Sequence, residues 1–144
     1  MQARLARDLG YVTAKVGADA AIFDADDRVL LVHRADDEAW GLISGWVDVG
    51  ETPATTVVRE VREEVGLDAT IVALVDALGR PAGTEYGTHA VVSVVYLCTV
   101  APGEITISHE SLAAAYRAID DVEVWHANHE HLAHLALAAH HALP

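Results

Sequence analysis

The segment GWVDVGETPATTVVREVREEVGL, residues 45 to 67, holds four glutamates, and three of them (Glu60, Glu63, Glu64) fall within five residues. Like charges this close repel, so helix stability alone does not account for their placement. At about 100° per residue, the three carboxylates of a helix through this segment share an arc about 100° wide. Val57, Val58, Val61 and Val65 lie on the neighbouring face. One flank is thus apolar and the adjacent edge is acidic. That is the arrangement of a divalent-cation site beside a core, because hard cations such as Mg²⁺ take oxygen ligands, often a few carboxylates plus phosphate oxygens. For REVREE alone, a solvated face carrying pairs such as Arg59 with Glu63 is the better reading.

The elements that must hold these acids are legible nearby. Thr52 suits a helix N-cap and Pro53 the first helical position. Gly66 suits the residue just past a helix C-terminus. A helix over 52–65 follows. ADAAIF (18–23) and RVLLVHR (28–34) read as strands joined by the turn DADD, hence as a hairpin. ADDEAWGLISG (35–45) reads as a loop. TIVALVDAL (70–78) and the long HAVVSVVYLCTV (89–100) read as strands, the latter central, with the loop GRPAGTEYGT between them. After the turn APGE, ITIS (105–108) reads as a short strand. SLAAAYRAI (111–119) fits either strand or helix, and 127–143 reads as a closing helix. The order β-β-α-β-β-β-α places strands and helices in one α+β domain spanning 1–144.

Composition narrows the function. The 144 residues are 52% hydrophobic, enough for one folded core. A formal net charge of −13 argues against nucleic acid or an anionic membrane as partner, but not against a small anion bridged by a metal. The single cysteine, Cys98, sits in an apolar run and reads as a buried, inert thiol. MQARLARDLG lacks the apolar centre of a signal peptide, and no stretch suits a bilayer span, so a cytoplasmic location is expected.

The wider spacing changes the reading of the acids. Gly45, Glu51, Arg59, Glu60, Val61, Glu63, Glu64, Gly66 and Leu67 fill all nine fixed positions of G-x5-E-x7-R-E-U-x-E-E-x-G-U, U being a bulky aliphatic residue. The stretch resembles the Nudix box of the Nudix (MutT-like) hydrolases. The resemblance implies a Nudix-type α/β/α sandwich with a mixed β-sheet. It implies cleavage, with Mg²⁺ or sometimes Mn²⁺, of the diphosphate bond of a nucleoside diphosphate linked to another moiety. Carried over, Glu60 and Glu64 are metal ligands, Glu63 joins directly or through water, and the Gly45 carbonyl lies near the metal. Arg59 orients the acids by pairing with Glu51. A homodimer is a further family-level expectation. One departure is visible: many members read W-x-L-P-G-G into the box, and here Ile43 and Ser44 replace the Pro-Gly of that pattern.

Outside the box the signals are sparser. Glu110 is the candidate for a further ligand or the general base, with Glu85 behind it; an ordinary surface glutamate is the alternative for each. Pro81, 14 positions after Leu67, nearly matches a downstream proline that ADP-ribose pyrophosphatases of the family often carry. ADP-ribose or an NDP-sugar therefore ranks first as substrate. A (d)NTP-sanitising hydrolase and a non-catalytic ligand-binding or regulatory module are the alternatives. Tyr86 and Trp125 could stack on a base or be structural. The histidines of WHANHEHLAHLALAAHH do not form H-E-x-x-H, since Ala133 stands at the second histidine position, so a polar helix face is preferred over zinc. His109 and His126 are candidates for touching substrate phosphate.

Overall fold

The computed structural model describes residues 13–83, 85 and 87–144. Tyr86 and the first twelve residues, including the segment read for a signal peptide, lie outside the described residues. Among the described residues nine elements follow in order: β1 (Lys15–Ile22), β2 (Val29–Arg34), β3 (Trp40–Trp46), α1 (Pro53–Val65), β4 (Ala69–Arg80), β5 (Val91–Val100), β6 (Ser111–Arg117), a 3-10 turn (Ile119–Asp121) and α2 (His129–His141). The six strands form one mixed sheet in the order β4-β5-β1-β3-β2-β6. Only β1 and β5 run parallel; the other neighbours are antiparallel.

Each helix covers one face of this sheet, which gives the α/β/α sandwich. Alternate residues of a strand point to opposite faces. Ala18, Ala20 and Ile22 of β1, with Leu30, Val32 and Ile43, pack against Val57, Val61 and Val65 of α1. Ala21, Val29, Leu31, Leu42 and Val95 pack on the other side against Leu132, Ala133 and Ala136 of α2. Cys98 is buried in the α1-side core, and burial pushes its thiol up to about 12, as an inert thiol requires. Among the described residues no helix is long and apolar enough to cross a membrane.

Four expectations need correction. The segment 35–45 is not all loop: β3 begins at Trp40. Its glycines disguise a strand, yet they are there because neighbouring side chains come close. The hairpin of β1 and β2 exists only at its base, where Phe23 bridges Val29; beyond that the strands part and β3 enters between them. ITIS is not a strand. Ile105 and Ile107 are exposed, and the Thr106 N–H donates to the Val65 carbonyl at 2.9 Å, so the segment closes the end of α1 instead of joining the sheet. Val58, placed on the apolar face of α1, is exposed. The ambiguous 111–119 resolves as strand β6.

The helix that carries the acids is fixed at both ends as its sequence requires. Thr52 Oγ1 accepts from the Thr55 N–H at 3.2 Å, while Thr55 Oγ1 accepts from the Thr52 N–H at 3.0 Å. Gly66 adopts φ 71°, where glycine carries no Cβ penalty, and its N–H donates to the Arg62 carbonyl. Thr52→Ala should therefore lower stability by about 1 kcal/mol, and Thr52→Ser should restore most of it. Urea unfolding measures both; an unchanged midpoint for Thr52→Ala would contradict the capping role.

Candidate active site

Arg59 organises the acids of α1. Its Nε and Nη2 donate to Glu51 Oε2 and Oε1 at 2.8 and 2.9 Å, a two-bonded pair. Its Nη1 donates to Glu60 Oε1 at 2.9 Å and Glu63 Oε2 at 3.1 Å. The bonds from Arg59 hold the Glu51 carboxyl down to about 2, well below its ordinary value. The same pairing raises the Arg59 guanidinium further above its already high value. Glu51 also accepts from the Asp48 N–H and the Thr56 hydroxyl, which anchors the loop before α1.

Glu64 is treated differently. It is buried, and its bond from a described donor is the Ser44 N–H, 3.2 Å from Oε2. Burial, with the neighbouring charge of Glu60, pushes its carboxyl up to about 8. Glu60 is raised as well, chiefly by burial, although Arg59 opposes the shift. Two neighbouring carboxyls resisting ionisation is what crowded, half-dried like charges do. The backbone of β3 presses against this edge: a Cβ at Gly45 would overlap the Glu60 carboxylate, so only glycine fits. The Ile43-Ser44 departure is consistent with this geometry. Ile43 fills the α1-side core, and Ser44 supplies the N–H that Glu64 accepts.

These groups line a cleft of about 330 Å³. Glu60, Glu64 and Glu110 stand at one end, with Arg34 beside them. A second hollow shares Arg34, Glu64 and Glu110 and continues outward past Asp36. Glu110 thus faces the box acids across open space, as a further ligand or base would. Glu51 and Glu63 do not line the cleft; Glu63 is largely exposed and held by Arg59. Glu85 lies apart, against Asp37, Trp125 and His126. His126 lines the cleft, with Nδ1 2.6 Å from Asp37 Oδ2, whereas His109 is exposed and does not. Trp125 packs in the α2-side core and Pro81 follows the end of β4. Among the described residues no three His, Cys, Asp or Glu side chains converge closely enough to cage an ion by themselves.

Several cleft residues, Arg80 and Ser93 among them, were not singled out from the sequence as site residues. Arg34, at the end of β2, gives two bonds to Asp36 and feels the charge of Glu64; nothing in its context marks it. Asp19 lies buried on β1 among alanines, and an acid inside an apolar strand was a usable signal. His129 is buried too: its Nδ1 accepts the Leu42 N–H at 3.0 Å and burial pushes it down to about 3. A Cβ at Gly41 would lie 2.8 Å from that Nδ1. Trp46 follows Gly45 and stands half exposed at the cleft mouth. The other α2 histidines sit elsewhere; His140 and His141 face Asp27, at 3.8 and 2.7 Å.

The raised carboxyl of Glu64 has a thermodynamic consequence. Folding lifts it from the ordinary 4.5 to about 8, so between those values the folded chain binds more protons than the unfolded one. Stability from this group is full below the lower value and is lost as pH rises through the higher. In the presence of EDTA, Glu64→Gln should gain on wild type in urea midpoint as pH rises from about 5 to 8. Parallel pH profiles would contradict the assigned burial.

Comparison with known proteins agrees with this geometry. The family model described as the NUDIX domain matches residues 13–142. A MutT-like protein of Streptomyces ambofaciens is 31% identical over 107 residues, covering 74% of this chain and 66% of that protein. An ADP-ribose pyrophosphatase of Methanocaldococcus jannaschii is 28% identical over 123 residues, covering 83% of this chain and 71% of its own. A shorter match to a Bacillus subtilis protein spans 28% of that relative. The crystal structure of an ADP-ribose pyrophosphatase from Streptococcus suis superposes with a TM-score of 0.77 at 30% identity, covering 92% of this chain and 96% of that one. A family match across nearly the whole chain, on a complete acid motif and the expected sandwich, makes this chain a member of the Nudix family of hydrolases.

Proposed function

We propose that the chain hydrolyses the diphosphate bond of a nucleoside diphosphate linked to another moiety, with ADP-ribose or an NDP-sugar as the substrate class and Mg²⁺ as the cofactor, Mn²⁺ serving as substitute. One observation carries the reading: Glu64 is buried beside Glu60 with no cationic side chain bonded to it among the described residues, in a cleft that also presents Glu110 and Arg34. A divalent cation is what relieves that arrangement. The donor set fits one, being all oxygen and charge-crowded. Because three carboxylates do not converge on one point, bound water and substrate oxygens complete the shell, as Mg²⁺ prefers.

Glu60 and Glu64 would hold the cation, with the Gly45 carbonyl beside them and Glu63 assisting through water. When bound, the cation neutralises charge on the phosphoryl oxygens and makes its water more acidic. Arg59, fixed by Glu51, keeps Glu60 and Glu63 from swinging apart. Arg34, beside Glu64 and Glu110, meets the phosphate oxygens. Glu110 takes the proton of the water that attacks phosphorus; the P–O–P bridge then breaks and the second phosphate leaves. The substrate class is supported by the names of the Methanocaldococcus and Streptococcus relatives and, more weakly, by Pro81.

Glu64→Gln should lower turnover by about a hundredfold or more while leaving the circular dichroism spectrum intact. The assay sets ADP-ribose, NDP-sugars, dinucleoside polyphosphates and (d)NTPs against wild type and variant, with Mg²⁺, with Mn²⁺ and with EDTA. Near-wild-type turnover by Glu64→Gln would remove the ligand assignment. Turnover that survives EDTA would remove the cofactor. No turnover of any substrate would favour a binding module.

A further inference from the structure

The cleft has a second end that the hydrolytic groups do not use. Past Ser44 it reaches the α2 side of the sheet, where Asp19, Ser93 and His129 line it. Asp19 is buried, and its Oδ2 has no hydrogen-bond partner among the described residues. The other oxygen, Oδ1, lies 3.5 Å from His129 Nε2, beyond a good hydrogen bond. His129 cannot be drawn in as a cation, because its Nδ1 already accepts the Leu42 N–H and the ring stays neutral. Arg80 acts on Asp19 by its charge. A buried carboxyl oxygen with no donor is costly, and the structure keeps one at the wall of an open cleft.

An aromatic ring stands next to it. Gly17 of β1 is paired with Trp46 of β3, and Asp19 with Ser44. Paired residues point to the same face of a sheet, and so do residues two apart, so Asp19 and Trp46 share a face about 7 Å apart along the strands. Gly17, between them, has no side chain to fill the gap; a Cβ there would already touch the Trp46 ring at 3.7 Å. The ring is half exposed and has Lys15 Nζ 5.2 Å from its centroid. A flat apolar surface with a hydrogen-bond acceptor one ring-width away matches a planar heterocycle that carries an amino group.

We propose that Trp46 and Asp19 form a recognition subsite for an amino-bearing nucleobase, the base stacking on the Trp46 ring and its amino group donating to Asp19 Oδ2. The inference rests on the nucleoside diphosphate reading above and adds which end of the cleft holds the base and what selects it. Burial pushes the Asp19 carboxyl up to about 7, against the opposing charge of Arg80. Ser93, also buried, lines the same cleft.

The test is equilibrium binding by calorimetry in EDTA, so that no turnover is needed. ADP-ribose, GDP-ribose and IDP-ribose are compared; the last carries hypoxanthine, which has no amino group. Wild type should bind at least one of the first two about tenfold more tightly than IDP-ribose. Asp19→Leu, and less severely the isosteric Asp19→Asn, should erase that preference. Trp46→Ala should weaken all three by about tenfold and keep the preference, since stacking is tolerant of base identity. A wild type without preference overturns the inference, as does equal weakening of all three ligands in the Asp19 variants, which marks a structural role. Loss confined to the difference between ADP-ribose and its 2′-deoxy analogue overturns it in favour of a ribose contact. Preference in binding without turnover sinks the hydrolase reading and leaves the subsite; turnover without preference does the reverse.

Discussion

One guanidinium holds the acid edge of α1 together. Glu51, Glu60 and Glu63 all bond to Arg59, and the Trp46 carbonyl accepts from it as well, at 3.4 Å. Three carboxylates around one cation leave net negative charge, yet each has a donor. Arg offers five donors in a rigid fork, which a lysine could not replace. Because Arg59 reaches both the loop before the helix and the strand end beyond it, the same contacts that manage repulsion also fix where α1 sits on the sheet. Glu64 is outside that arrangement. It points to the buried side, meets a backbone N–H, and keeps its unfavourable environment. The asymmetry is the chemically useful part: a fully compensated set of acids would have nothing left for an incoming cation.

Strand β3 joins the two halves of the cleft. At one end Gly45 lets the backbone lie against Glu60, and Ser44 meets Glu64. At the other, the Leu42 N–H fixes the tautomer of His129, and Gly41 makes room for that ring. Glycine at both places reflects close approach rather than a turn, since neither has a positive φ. A strand built this way is stiff where it is paired and bare where it meets the two helices. The distance between the acid end and the Asp19 end is therefore set by sheet geometry and not by a flexible loop.

The sequence disclosed most where a rule is local. Thr52, Pro53 and Gly66 mark the helix because caps act through neighbouring backbone groups. The acid spacing was equally readable, because one helix turn decides which carboxylates share an edge. What failed was long-range. Gly41 and Gly45 look like loop residues until His129 and Glu60, far off in the chain, are seen to press on them. The pairing of β1 with β3 in place of β2 depends on a strand that the glycines concealed. ITIS has strand periodicity, but the free carbonyl of Val65 recruits it as a helix stop. Arg34 and Trp46 gain their meaning only from what the fold places opposite. Asp19 is the exception, a charged residue in an alanine-rich strand that could have been questioned from the start.

The surplus of acid bears on the same question from the other direction. With 22 acidic residues against nine Lys and Arg, the chain repels an anionic substrate at long range. Its arginines are largely engaged: Arg28 with Asp24, Arg34 with Asp36, Arg59 with Glu51 and Arg62 with Asp68. Of these Arg34 lines the cleft, and Arg80 lines it as well, acting by its charge on Asp19. Arg34 is already bonded to Asp36 and Arg80 acts on Asp19, so the acid edge keeps a surplus of negative charge. In the proposed reaction further positive charge comes from a bound cation, and the place suited to it is the edge where Glu60 is met by Arg59 and Glu64 by a backbone N–H. The acidity that argues against nucleic acid and anionic surfaces as partners is thus the same property that suits a divalent cation as the bridge to a small phosphate ester.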